Sequence, residues 1–351
     1  MALQADTPAA ARAPAFWPIN WPVLLLLALA FGAVPFFASS YLIEAMLLPF
    51  LALSLAGLGL NLLTGYAGQL SLGSAAFMAI GAFAAYNFQL RLGLALPASI
   101  LLAGVTSALI GVLFGLPSLR LRGFYLAVST LAAQFFVQWV LTKFGWFSNY
   151  SASGVISAPR IQLFGQSFDS GVGRYLFALT TVAVVTFLVH RLTSGPLGIR
   201  LIALRDDETA ARVIGIPVLR TKLITFALRS AIIGVAGVLW AYTYLRTVEP
   251  EGFNLDRSFQ ILFIIIIGGM ATIRGAFLGA ALIVIFPLAL ARTSAFLFQG
   301  TIDAGAIQLI ERIVVGATII LFLVAEPNGL SALLGRASAR IRAAWRRGSP
   351  S

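Results

Sequence analysis

Leu42-Ile-Glu-Ala-Met-Leu-Leu-Pro-Phe-Leu-Ala-Leu-Ser-Leu-Ala-Gly-Leu-Gly-Leu-Asn-Leu62 carries a single ionisable side chain, Glu44, near its start. A helix of that length spans about 30 Å, the thickness of a bilayer's hydrocarbon core. The run is continuous rather than alternating, and only helices and closed barrels satisfy every backbone group in lipid. Long unbroken apolar runs select the helix over the barrel's alternating ten-residue strands.

The rest of the chain repeats this pattern. The sequence is 60% hydrophobic and 10% charged, with a mean hydropathy of +0.95. Soluble domains carry about 25% charged residues, so a water-soluble fold of this size is excluded. Candidate spans cover 22–38, 42–62, 66–90, 94–116, 123–143, 174–190, 218–244, 258–272, 275–292 and 307–325. The expected fold is an all-α, polytopic transmembrane bundle of about ten spans. Its parts are an N-terminal segment 1–21, a membrane domain 22–326 and a basic tail 327–351. Arg274 separates the two short runs 258–272 and 275–292, which predicts broken or re-entrant helices there. Arg12, the run Val23–Phe37 and Ala38-Ser39-Ser40 have the outline of a signal peptide, but nine further spans make it an uncleaved anchor.

Cations set the expected orientation. With the N-terminus inside, ten spans place Arg120 and Arg122 in one cytoplasmic loop. They place Arg191, Arg200, Arg205, Arg212 and Arg220 in a second (191–220) with Lys222 just beyond it, and Arg336 to Arg347 in the tail. Both termini are therefore expected in the cytoplasm, by the excess of cations in inside loops. The same rule accounts for 24 Lys+Arg against 12 Asp+Glu without nucleic acid, which is not an expected partner.

Catalytic templates fail. There is no Cys and one His, His190, at an expected helix end. Thiolate, two-histidine zinc and Ser-His-Asp chemistry are excluded, so no metal, cofactor or catalytic residue is expected. The two lysines, Lys143 and Lys222, each follow Thr, so no phosphate-binding Gly-Lys-Ser/Thr loop exists. Glu44, Glu311 and Glu326 lie at span ends rather than at depth, unlike the ionisable groups of ion-coupled carriers. The energy source is expected on another polypeptide.

Two stretches stand out. In 198–217, Arg205, Glu208 and Arg212 alternate with Ala203, Leu204, Ala211 and Ile214. That pattern makes a short helix that lies on a membrane face or docks on a partner. Gly215 and Pro217 supply its stop. In 61–74, Gly65, Gly68 and Gly73 interrupt an apolar run beside Asn61, Gln69 and Ser71. Two readings fit: the glycines allow close helix packing, or the broken segment borders a polar translocation path. Gly111 with Gly115, and Gly275 with Gly279, have small-xxx-small spacing and are expected to pack helices. Arg229, two turns beyond Lys222, is expected to snorkel to the cytoplasmic interface.

Glu208-x-Ala210-Ala211-x-x-x-Gly215 resembles the coupling-loop motif of ABC importer permeases. Three further blocks resemble the branched-chain amino acid permease family: 59–77 (Gly59-Leu-Asn through Phe77), 119–127 (Leu119-Arg-Leu-Arg-Gly123-Phe-Tyr-Leu-Ala127) and 268–279. The blocks run in order from about 55 to 290, and the Leu-Arg-Leu-Arg-Gly block with the polar 144–173 segment resembles the M-type subunit. The resemblance implies a permease pairing with a second homologous permease, two ATP-binding subunits and an extracytoplasmic substrate-binding protein, in a bacterial inner membrane. ATP-Mg would be bound by the ATPases. Arg205, Asp207, Glu208, Ala210, Ala211 and Gly215 would form the ATPase-coupling site. Asn61, Gly65, Gly68, Gln69, Ser71 and Gly73 would border the path. Three features depart from the family pattern: Ser74 where a larger polar residue is usual, Arg229 where a small one is usual, and Ser148–Gly154 in place of a Gly-rich stretch. Cargo therefore stays open between branched-chain amino acids and other small polar or aromatic acids, with an ion-coupled carrier as the alternative mechanism.

Overall fold

The computed structural model describes residues 21–118, 124–151, 153–163, 166–297, 304–326 and 329–336. Arg120 and Arg122, most of the basic tail and the first twenty residues lie outside the described set. The chain divides into two units, Met1–Ala38 and Ser39–Ser351. In the first, one apolar helix is described, α1 (Trp21–Phe37).

The second unit follows the expected order of spans. Its helices are α2 (Leu42–Tyr66), α3 (Ser74–Leu92), α4 (Leu96–Ser118), α5 (Phe124–Lys143) and α6 (Gly171–Thr193). Two short helices, α7 (Pro196–Asp206) and α8 (Glu208–Val213), precede the long α9 (Val218–Leu245). Then come α10 (Leu255–Gly268), α11 (Ile273–Leu297) and α12 (Ala304–Ala325). Every expected span is met by a helix. Six of them are long and apolar enough to cross a membrane: those within α2, α4, α5, α6, α9 and α11.

The expected span 66–90 is divided: 67–73 is not helical, and α3 begins only at Ser74. Gly68 takes φ +68° there, a conformation that costs a residue with a Cβ. The pair flagged by Arg274 also breaks as expected. α10 has 14 residues and rises about 21 Å, short of the roughly 30 Å apolar layer. It stops at Gly269, φ 116°, before α11 begins at Ile273.

Close helix contacts fall at the small residues. A Cβ on Gly279 would lie 1.8 Å from the Ile264 carbonyl oxygen, so α10 and α11 pack backbone to backbone. A Cβ on Gly111 would lie 2.2 Å from Ser230 Oγ, and one on Gly115 would touch Phe226, which brings α4 onto α9. Such approaches strengthen dispersion contacts where lipid offers no hydrophobic drive.

The loops segregate to two faces. On one, β1 (Ile156–Ser157) pairs antiparallel with β4 (Thr247–Val248), Ile156 opposite Val248. Between them β2 (Gln162–Leu163) and β3 (Gln166–Ser167) form a small hairpin. Arg246 donates to Asp169 at 2.8 Å. Arg174 donates to Glu44 at 2.5 Å and to the Thr243 carbonyl at 2.9 Å, tying α2, α6 and α9 together at this end. The opposite ends of α2, α6 and α9 meet α7 and α8.

Candidate coupling and translocation site

α7 and α8 form a helix pair joined at Asp207. The Asp207 carboxylate accepts from the backbone N–H of Thr209 (2.7 Å) and Ala210 (3.0 Å), capping α8. Gly215 closes α8 at φ +85°, and its N–H donates to the Arg212 carbonyl at 3.1 Å. Ala211 is buried, whereas Ala210 faces out. Glu208 accepts from Lys222 Nζ at 2.8 Å and from Arg212 at 3.4 Å. Lys222 is buried, so Glu208 holds α8 against the start of α9. Ile199 on α7, Val213 and Ile214 at the end of α8 and Leu219 at the start of α9 are exposed, Val213 at 82%. An apolar patch on a polar loop marks an interaction surface.

Arg205 joins this surface to the broken segment. Its guanidinium donates to the Gly65 carbonyl at 3.4 Å. A Cβ on Gly68 would lie 2.7 Å from Arg205 Cγ, so the α7 side chain lies directly against the break. Gly65 in turn leaves no room for a Cβ, which would meet Asn61 Oδ1 at 2.0 Å.

Asn61 is fully buried and unites the two breaks of the fold. Its amide donates to the Thr272 carbonyl (2.8 Å) and its oxygen accepts from Ala271 N–H (2.9 Å). Those are backbone groups left free where α10 gives way to α11. Gln69 bridges by its backbone, donating to Leu63 (3.1 Å) and accepting from Thr64 Oγ1 (3.0 Å). Its side-chain oxygen, and the hydroxyl of Ser71, are buried without a hydrogen-bond partner. Gly73 lies on the Thr130 carbonyl, 2.4 Å from where a Cβ would be. Gly65, Gly68 and Gly73 are thus close-approach positions, as the packing reading expects, and polar atoms line the same turn.

The start of α3 completes the site, held by residues that sequence reading did not single out. Ala75 N–H donates to Ser258 Oγ (2.9 Å), Ala76 N–H to Gln134 Oε1 (2.6 Å) and Leu72 N–H to Thr130 Oγ1 (2.9 Å). Gln134 also donates to the Phe253 carbonyl at 2.9 Å. A polar amide at mid-run, one of the two glutamines (Gln134 and Gln138) of this apolar helix, was the signal available for it. Arg229 corrects an expectation. It does not snorkel: it is 0% exposed and donates to Ser74 Oγ at 3.2 Å. α9 turns that face toward the α3 terminus, with Phe77 and Phe226 flanking the guanidinium at 5.1 and 6.0 Å.

This arrangement is a membrane bundle with broken helices and a pair of short helices at one end, and residues 42–323 match the family described as the branched-chain amino acid transport system permease component. The chain belongs to that family and is a multi-pass membrane protein. It is 34% identical over 287 residues to the high-affinity branched-chain amino acid transport system permease protein LivM of Salmonella typhimurium, covering 75% of this chain and 67% of the relative. LivM of Escherichia coli is 34% identical over 285 residues, covering 75% and 66%. The alignments thus span about two-thirds of these relatives' length. No solved structure matches the chain.

Proposed function

We propose that this chain is the M-type permease subunit of an ATP-driven importer, forming with a second homologous permease the translocation path for branched-chain or related amino acids. The contact of Arg205 with Gly65 and Gly68 carries the reading. It links an exposed apolar helix pair, suited to a partner, to the break that interrupts the bundle. With α7 and α8 in the cytoplasm, two ATP-binding subunits would dock on Val213, Ile214 and Leu219. The 144–170 and 246–254 loops would face a substrate-binding protein on the other side. Both termini would then be cytoplasmic, and the excess of cations in the 191–220 loop supports that orientation. The chain itself would be non-catalytic: ATP-Mg would bind the ATPases, and their closure would move α7 and through it the 65–73 segment.

The test is extraction of the tagged chain from its own membranes in mild detergent, with identification of co-purifying proteins by mass spectrometry. A second permease and two P-loop ATPases are expected. Recovery of the chain alone, with uptake that follows an ion gradient, would overturn the reading in favour of a carrier.

A further inference from the structure

Arg229 lies 11 residues beyond Val218 on α9, about 16 Å of helical rise into the bundle. Its side chain is wholly buried, and Nε and Nη1 have no hydrogen-bond partner. The third nitrogen donates to a neutral hydroxyl, Ser74 Oγ, at 3.2 Å. Among the described residues no carboxylate pairs with it. Burying a cation this way is costly unless an anion compensates it. The guanidinium faces the first turn of α3, a 19-residue helix whose N-terminus adds positive potential rather than relieving it. Two positive features therefore converge at membrane depth, with donors to spare and no anion.

A docked permease subunit does not supply that anion, because Arg229 has no exposed surface on this chain to dock against. A hydrogen bond ties Arg229 to Ser74, the residue that follows the 67–73 break. That break is the segment Arg205 grips from the coupling pair. A shift of α7 would thus be passed, six to nine residues along the chain, to the hydroxyl bonded to the guanidinium.

We propose that Arg229 is the carboxylate-binding residue of the translocation path, unmasked when the coupling pair draws the 65–73 segment and Ser74 away from it. A guanidinium presents paired donors that match a carboxylate in bidentate geometry. Cargo bearing a carboxylate would meet it in transit and be released when Ser74 returns. The inference rests on the proposed importer function for its cargo, but not for its anion.

The experiment uses the complete complex in lipid nanodiscs, with Arg229→Met and Arg229→Lys beside the parent chain. Thermal unfolding is followed in sodium acetate, acetamide and sodium chloride at matched ionic strength, in nucleotide-free and ATP-trapped states. Acetate is expected to raise the melting temperature of the parent complex, most in the state that unmasks Arg229, and acetamide is not. Arg229→Met should abolish the acetate effect, melt no lower than the parent, and slow leucine uptake by about tenfold or more, the loss of one charge-assisted contact. Arg229→Lys should recover part of both. Equal protection by chloride would overturn the proposal in favour of a resident inorganic ion. A methionine variant that melts lower yet transports normally would show a packing role only. Failure of the parent complex to import any amino acid would sink the proposed cargo, while the acetate–acetamide comparison would still decide Arg229.

Discussion

Arg205 of the coupling pair and Gly68 of the broken segment touch so closely that the arginine's Cγ lies 2.7 Å from where a Gly68 Cβ would be. Two stretches 137 residues apart in sequence (205 minus 68) are thus in direct contact. The contact involves the stem of the arginine, and its head holds the Gly65 carbonyl. Gly68→Val adds a branched side chain both at φ +68° and against Arg205. Uptake by the reconstituted complex should fall, while basal ATP hydrolysis persists without its stimulation by cargo. Stimulation that survives in Gly68→Val would show that force does not travel through this contact.

Asn61 answers for two backbone groups at once. Asn61→Leu would orphan the Thr272 carbonyl and the Ala271 N–H, at about 1–3 kcal/mol for each buried group left unpaired. The expected outcome is a lower melting temperature in detergent and faster proteolysis at 269–272. An unchanged melting profile would mean that the two groups find other partners.

Glu208 and Lys222 form a pair in which the lysine side chain is 6% exposed and the glutamate 23%. Glu208→Gln strands a buried cation, whereas Glu208→Gln with Lys222→Met removes the charge together with its partner. Non-additivity of about 0.5–3 kcal/mol is expected in thermal unfolding of the two single variants and the double. Additive effects would place the role of Glu208 on the partner's side rather than within this chain.

Gly215 separates folding from docking. Nothing lies within 4 Å of a Cβ added there, so the constraint on the position is its φ of +85°. Asparagine tolerates that conformation and tryptophan does not share its ease, though both have room. Gly215→Asn should retain the ATPases on co-purification and Gly215→Trp should lose them and all uptake, with both chains inserted in the membrane. Retention of the ATPases by the tryptophan variant would remove Gly215 from the coupling surface.

The bundle was legible because each span announces itself by length and lack of charge. The breaks were legible too: Gly65-Tyr-Ala-Gly68 and the Arg274 interruption are local signals, and α10 and α3 start and stop beside them. A short helix in 198–217 could be read from alternation and its stop from Gly215, whereas its division into α7 and α8 at Asp207 was not foreseen. What local signals lack is the pairing at depth. Asn61 and Thr272 are 211 residues apart, and Gln134 and Ala76 are 58. Arg229 was misplaced for the same reason: two turns from Lys222 suggested an escape to the interface, but the rotation of α9 points the side chain inward. Ser74 and Arg229, two of the positions that set this chain apart from the family pattern, proved to be bonded to one another.

The first turn of α3 has one further property. From one face it is reached through Arg205, Gly68 and the 69–73 segment, ending at Ser74. From the other it is reached through the 246–254 loop, where the Phe253 carbonyl binds Gln134, which accepts from Ala76, and through Ser258 in the first turn of α10, which accepts from Ala75. That loop is stitched by β4 to β1 of the 144–170 segment. Three consecutive residues, Ser74, Ala75 and Ala76, are therefore tethered from both ends of the bundle, so that losing the contacts of one end leaves the turn fastened by the other.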